Sequence, residues 1–170
     1  MQRLVTAIEQ SVESQNWYAA IYVALTMPDV CAKLETPDGG RPGYRYKDWF
    51  NRYLARTYTS TIGGQEVVFL SAADCWALRC SILHEGSEDI TEQQARDVLR
   101  RVCFTTLGPH LIKANDTLTV NVAAFCREFC QGVERWIADV AGNAGVQRRM
   151  GAMVTIREGP FSPIPGVQIG

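Results

Sequence analysis

Histidine is scarce in this chain, with two residues in 170, and no C-x-x-C pair occurs. Ligands at the usual zinc spacings are therefore missing, and no metal or cofactor is assigned. No stretch approaches the roughly 18 apolar residues of a membrane span. The opening MQRLVTAIEQ lacks the apolar core of a leader and reads instead as the start of an amphipathic helix. These absences predict a cytoplasmic protein with no membrane partner. An excess of either charge is also lacking, since 17 Lys and Arg face 18 Asp and Glu for a net charge of -1. That balance does not advertise nucleic-acid binding, although it leaves room for a local basic patch. Repeats and low-complexity blocks are absent.

What is present is an ordinary globular composition, 46% hydrophobic and 21% charged, in a chain long enough for one buried core. The six cysteines, Cys31, Cys75, Cys80, Cys103, Cys126 and Cys130, lie in apolar stretches such as DVCAKL and AFCREFC. They read as free thiols of a reducing compartment. Hydrophobic spacing predicts helices over residues 2–14, 16–35, 44–58, 71–86 and 121–140, with a shorter one over 91–100. Asn16 caps the second helix and Pro28 is expected to kink it. Ser71 with Asp74 forms the start signal of the fourth helix and Gly86 the stop signal. Gly63-Gly64 beside EVVFL suggests a short hairpin. The runs VCFTTL, HLIKA and TLTVNV predict a small antiparallel sheet over 101–120, in which His110 is a strand or turn residue without a role. From residue 142 glycine and proline accumulate, so 142–170 is expected to be an extension with little helix, in which MVTI could add a strand.

The helix SAADCWALRCSILHEG carries the argument. Stepped at about 100° per residue from Ser71, its apolar residues Ile82, Cys75, Ala72, Leu83 and Trp76 fall between ~20° and ~140°. Arg79 falls at ~80°, in the middle of that arc. A guanidinium there requires a partner, because burying it unpaired costs several kcal/mol. Asp29, on an otherwise apolar face of the second helix beside Tyr18, Tyr22 and Leu25, is the first choice, and Asp74 is the second. Two readings of Arg79 stand side by side: a structural ion pair, and an arginine at the mouth of a functional cleft. His84 lies five residues on, near the helix end where the dipole favours a cation. A second candidate is YRYKDWFNRYLAR, where Arg45, Lys47, Arg52 and Arg56, with Arg41 just before them, interleave with aromatics around the single acid Asp48. Cations on phosphates and aromatics under bases would make it an RNA path. An amphipathic helix with its aromatics in the core gives the same pattern.

Arg79-Cys80-Ser81-Ile82-Leu83-His84 is an R-x4-H element late in a helix. The stretch LRCSILHEG resembles the signature helix of the HEPN superfamily, the helical domains of bacterial toxins, antiviral systems and other proteins. The resemblance implies a mainly α, HEPN-like helical bundle over 1–141, here with a small antiparallel β-sheet before the last long helix, followed by the 142–170 extension. It implies a homodimer, with RNA and a genomically linked partner protein as further partners, and metal-independent endoribonuclease chemistry. In that chemistry His84 is the acid or base on the ribose 2′-hydroxyl or the leaving 5′-oxygen. Arg79 holds the scissile phosphate, and Asp29, Asp74 and Glu85 support the pair. Cys80 stands where catalytic members usually carry Asn, Asp or His. The alternative within the same resemblance is a non-catalytic interaction or dimerisation domain in which Arg79 is structural.

Overall fold

The computed structural model describes residues 1–94 and 96–170. Six helices carry about half of the chain: α1 Gln2–Glu13, α2 Trp17–Glu35, α3 Pro42–Tyr53, α4 Ala72–Glu85, α5 Val122–Asp139 and α6 Ala144–Gly151. The protein is mainly α. Among the described residues no helix is long and apolar enough to cross a membrane.

Helix α2 is the axis of the bundle, as its all-round apolar sequence requires, and α1, α3, α4, α5 and α6 all pack against it. The Asn16 side chain accepts the N–H of Ala19 at its start. The helix runs on through Pro28, which has no N–H to give the Ala24 carbonyl. Around it α1 contributes Val5 and Ile8, α3 Tyr46, Trp49 and Phe50, and α5 Phe125, Phe129, Val133 and Trp136 to one buried core. A Cβ on Gly132 of α5 would come within 2.8 Å of Leu54, so that residue lets α5 press against the end of α3.

Two small sheets flank the bundle. Strands β1 Thr59–Ile62 and β2 Gln65–Val68 form a hairpin whose two-residue turn, Gly63-Gly64, has φ of +60° and +81°. Both central residues must be left-handed there, which glycine permits at least cost. The second sheet corrects the sequence reading. Its order is β3 Arg101–Thr105, β5 Thr117–Asn121, β4 Ile112–Ala114, with β4 antiparallel to β5 but β3 parallel to it. The sheet over 101–120 is therefore mixed, not antiparallel. The cause is long-range. The loop after β3 crosses to the far side of β5 and is pinned by His110. Its Nδ1 accepts the N–H of Asn121 at 3.1 Å, and its Nε2 lies 3.1 Å from both carboxylate oxygens of Glu128 in α5. Since Nδ1 is an acceptor, Nε2 carries the proton and donates it to Glu128. His110, read from sequence as without a role, thus holds a chain crossing.

Other boundaries differ too. Helix α3 stops at Tyr53 rather than 58, and residues 54–58 turn into β1. The short helix expected over 91–100 is replaced by turns in the described residues, and Ala95 within it lies outside them. Residues 153–156, MVTI, form no strand. The expected low helix content of 142–170 overlooked α6, which is capped by Asn143 on the Val146 N–H. Arg149 of α6 donates to the carbonyls of Leu34 and Glu35 at 2.6 and 3.4 Å, capping the end of α2.

Candidate functional site: an arginine and a histidine at the mouth of an open pocket

Helix α4 places the site. Ser71 accepts the N–H of Asp74 at 3.1 Å, and Gly86 ends the helix at φ +67°, so that its N–H reaches Ile82 and that of Ser87 reaches Ser81. The last turn is therefore closed rather than frayed, and it carries His84. Arg79 sits between α4 and α2, its side chain 20% exposed. Its Nε donates to Asp29 Oδ2 at 2.8 Å. Burial pushes the Asp29 carboxyl above its ordinary value, and the charge and hydrogen bond of Arg79 draw it only part of the way back.

The Arg79 Nη1 lies 3.1 Å from His84 Nε2. An ideal helix puts residues five apart about 140° round from each other, so the contact is made by the reach of the arginine along the surface. Arginine only donates, so Nε2 is the acceptor and the neutral His84 ring carries its proton on Nδ1. Among the described residues, Nη2 of Arg79 has no oxygen or nitrogen partner. The guanidinium also lies over the Trp76 ring, 5.2 Å from its centroid. Trp76 is backed in turn by Tyr46, with centroids 5.2 Å apart, and by Gly43, where a Cβ would stand 3.0 Å from the indole. Gly43 therefore lets α3 close on α4 behind the arginine.

Arg79, His84 and Trp76 open with Arg41, Tyr44 and Lys47 onto one pocket of about 660 Å³. Cys80 also lines it. Burial raises that thiol, and Arg79 partly offsets the rise. Among the described residues no acidic side chain lines the pocket. Its surroundings thus favour an anion with an apolar or aromatic part. Among the described residues no three His, Cys, Asp or Glu side chains gather as metal ligands.

The remaining candidates separate. Asp29 joins Arg79. Asp74 is buried elsewhere: beyond the cap, its carboxylate accepts the N–H groups of Asp97, Val98 and Leu99 at 2.7 to 3.2 Å. It holds the segment leading into β3 rather than Arg79. Glu85 is exposed, accepting from Gln93 at 2.8 Å and facing Ser81. Of the basic residues, Lys47 reaches the pocket. Arg45 is occupied by the carbonyls of Gly39 and Gly40, both at 2.6 Å, and Arg52 by Glu35 and Asp48. Arg56 is exposed beyond the end of α3 and outside the pocket. Sequence reasoning did not single out Tyr44 and Trp76. The i, i+3 spacing of Tyr44 with Lys47, and of Trp76 with Arg79, was the available signal.

Compared with protein-family models, curated protein sequences and solved structures, the chain matches none.

Proposed function

We propose that this chain is a HEPN-like, RNA-acting protein, a metal-independent endoribonuclease of the bacterial toxin or defence type. The observation that supports this most is the direct Arg79–His84 contact on the wall of an open, cationic pocket. At rest Arg79 occupies His84 Nε2. A phosphodiester entering the pocket competes for the guanidinium, whose Nη2 has no oxygen or nitrogen partner among the described residues, and as Nη1 turns to the phosphate Nε2 is released as a base. It then takes the proton of the ribose 2′-hydroxyl. The 2′-oxygen bonds to phosphorus, the P–O5′ bond breaks, and Arg79 balances the charge on the non-bridging oxygens. The leaving 5′-oxygen needs a proton. Each pocket holds one imidazole, so a homodimer that brings a second His84 to the cleft, as an imidazolium protonated from solvent, supplies that proton.

A second reading is a HEPN-like interaction or dimerisation domain in which Arg79 is structural. The Asp29 pair and the Trp76 contact favour it, since together they already account for a half-buried guanidinium.

The test is cleavage of varied single-stranded and structured RNAs in EDTA, with analysis of product ends. Persistent cleavage leaving 2′,3′-cyclic phosphates, lost in a folded His84→Ala protein, is the expected result. No cleavage of any RNA by the wild type, or undiminished cleavage by His84→Ala, would move the assignment to the interaction domain.

A further inference from the structure

The pocket has two aromatic side chains, and they are not equivalent. Trp76 is enclosed by Gly43, Tyr46 and the Arg79 guanidinium. Tyr44 is 66% exposed, although it sits on the first turn of a helix whose other aromatics, Tyr46, Trp49, Phe50 and Tyr53, are buried. It contributes nothing to the core. Tyr44 also lines a second groove of about 260 Å³ with Ala32, Thr36, Gly39 and Gly40, whose rim carries Arg45, Asp48 and Arg52. It is therefore the partition between the Arg79–His84 pocket and this smaller, largely apolar groove. Lys47 stands over the ring, 5.2 Å from its centroid, and lines the first pocket as well. The groove is held open from behind. Arg45 ties down the Gly39 and Gly40 carbonyls, and Gly40, at φ +55°, has no atom within 4 Å of where a Cβ would stand.

Resting on the reading of the pocket as an RNA site, we propose that Tyr44 is the stacking platform for the nucleobase next to the phosphodiester held by Arg79. That base lies on the ring face Lys47 leaves free, with its edge over the Ala32–Thr36 groove. Lys47 meets the intervening phosphate. A planar base gains from stacking whatever its identity, so the platform binds single-stranded RNA with little sequence preference and excludes a base that is paired in a duplex. The ligand class is thus an unpaired nucleotide pair, and Tyr44 is a binding residue rather than an acid or base.

The experiment uses fluorescence anisotropy with the full chain and two labelled probes: a mixed-sequence 2′-O-methyl RNA octamer, which resists cleavage, and the same octamer made abasic. Stacking is worth ~1–3 kcal/mol per base, so Tyr44→Ala should weaken binding of the normal octamer about 5- to 150-fold. Tyr44→Phe should restore most of it, and neither change should alter binding of the abasic probe. Circular dichroism should match the wild type, because the ring is outside the core. Unchanged octamer binding by Tyr44→Ala, or an equal loss with the abasic probe, would overturn the platform while leaving the Arg79 site standing. A wild type that binds neither probe would remove the RNA reading itself, and the platform with it.

Discussion

Helix α2 carries two carboxylates six residues apart, and each takes an arginine from another helix. At Glu35 the pairing is saturated. Arg52 binds it through both Nη atoms, at 2.9 and 3.0 Å, the buried Trp136 donates its Nε1–H at 3.1 Å, and Asp48 takes the Arg52 Nε. Burial raises the Glu35 carboxyl, but the bonds from Arg52 and Trp136 outweigh it and hold the group below its ordinary value. At Asp29 one bond is made, through Arg79 Nε, and burial wins, so that carboxyl lies above its ordinary value. The same pair of chemical groups serves as a closed joint at the last residue of α2 and as an open one six residues before it. An arginine with its donors spent can only hold the fold together. One with donors left over and a histidine as its neighbour can exchange partners.

The comparison can be broken most sharply by function. His84→Ala should reduce RNA cleavage by ~10²–10⁴-fold, the usual contribution of a general acid or base. Arg52→Ala, normalised to folded protein, should lower it far less. Equal losses in the two variants, measured as single-turnover rates, would erase the distinction between the joints. Stability should invert the order. Glu35→Ala strips the acceptor from the buried Trp136 N–H and should cost about 1–3 kcal/mol in urea denaturation. The ion pair itself adds little, since the Arg52 side chain is 39% exposed. Asp29→Asn, which can still accept from Arg79, should cost about 1 kcal/mol or less.

Acid titration sharpens the contrast through its sign. Glu35 is held below its unfolded value, so its contribution is present above that value and is lost as pH falls through the folded one. The stability gap between wild type and Glu35→Gln should therefore narrow on acidification. Asp29 is raised, so its contribution is present below the unfolded value and is lost as pH rises through the folded one. The gap to Asp29→Asn should narrow in the opposite direction. Urea titrations over about pH 3 to 6, spanning ordinary carboxylate values, would show opposite slopes, and parallel slopes would refute the contrast. An effect of similar, modest size is expected from inorganic phosphate. At about 10 mM it should stabilise the wild type by roughly 0.5–1.5 kcal/mol if it binds in the millimolar range. It should not stabilise Arg79→Lys, in which the fork of donors is gone.

Much of the open joint was legible because each half of it is marked within its own helix, although the two halves are 50 residues apart. Helical phase named Arg79 and Asp29 as partners, although the buried face of α4 runs through Ala72, Cys75, Leu78 and Ile82 with Arg79 at its edge, and Tyr18 beside Asp29 is 80% exposed; the Ser71 and Gly86 signals set the helix ends. The closed joint was not legible. Trp136 joins it from 101 residues away, Glu35 had no apolar surroundings to mark it, and Arg52 read as one cation among several on a basic helix. The mixed sheet was hidden for the same reason. Successive strand-like runs suggest an antiparallel meander, whereas Asp74 fixes the segment leading into β3 and His110 ties the loop after β3 to Asn121 and Glu128. Helix α6 was obscured by composition: the glycines of 142–170 outweighed a cap at Asn143 and two arginines in the last turn.

The bond from Arg149 to Leu34 also has a consequence for synthesis. The two residues are 115 apart, so at about 5–20 residues per second translation separates their appearance by roughly 6 to 23 seconds. Throughout that interval the terminal carbonyls of the central helix have only water or a chaperone to satisfy them, and Glu35 waits nearly as long for Trp136. The core helix thus leaves the ribosome well before the residues that finish it, and a nascent chain stalled before residue 136 holds its axis without the joint that closes it.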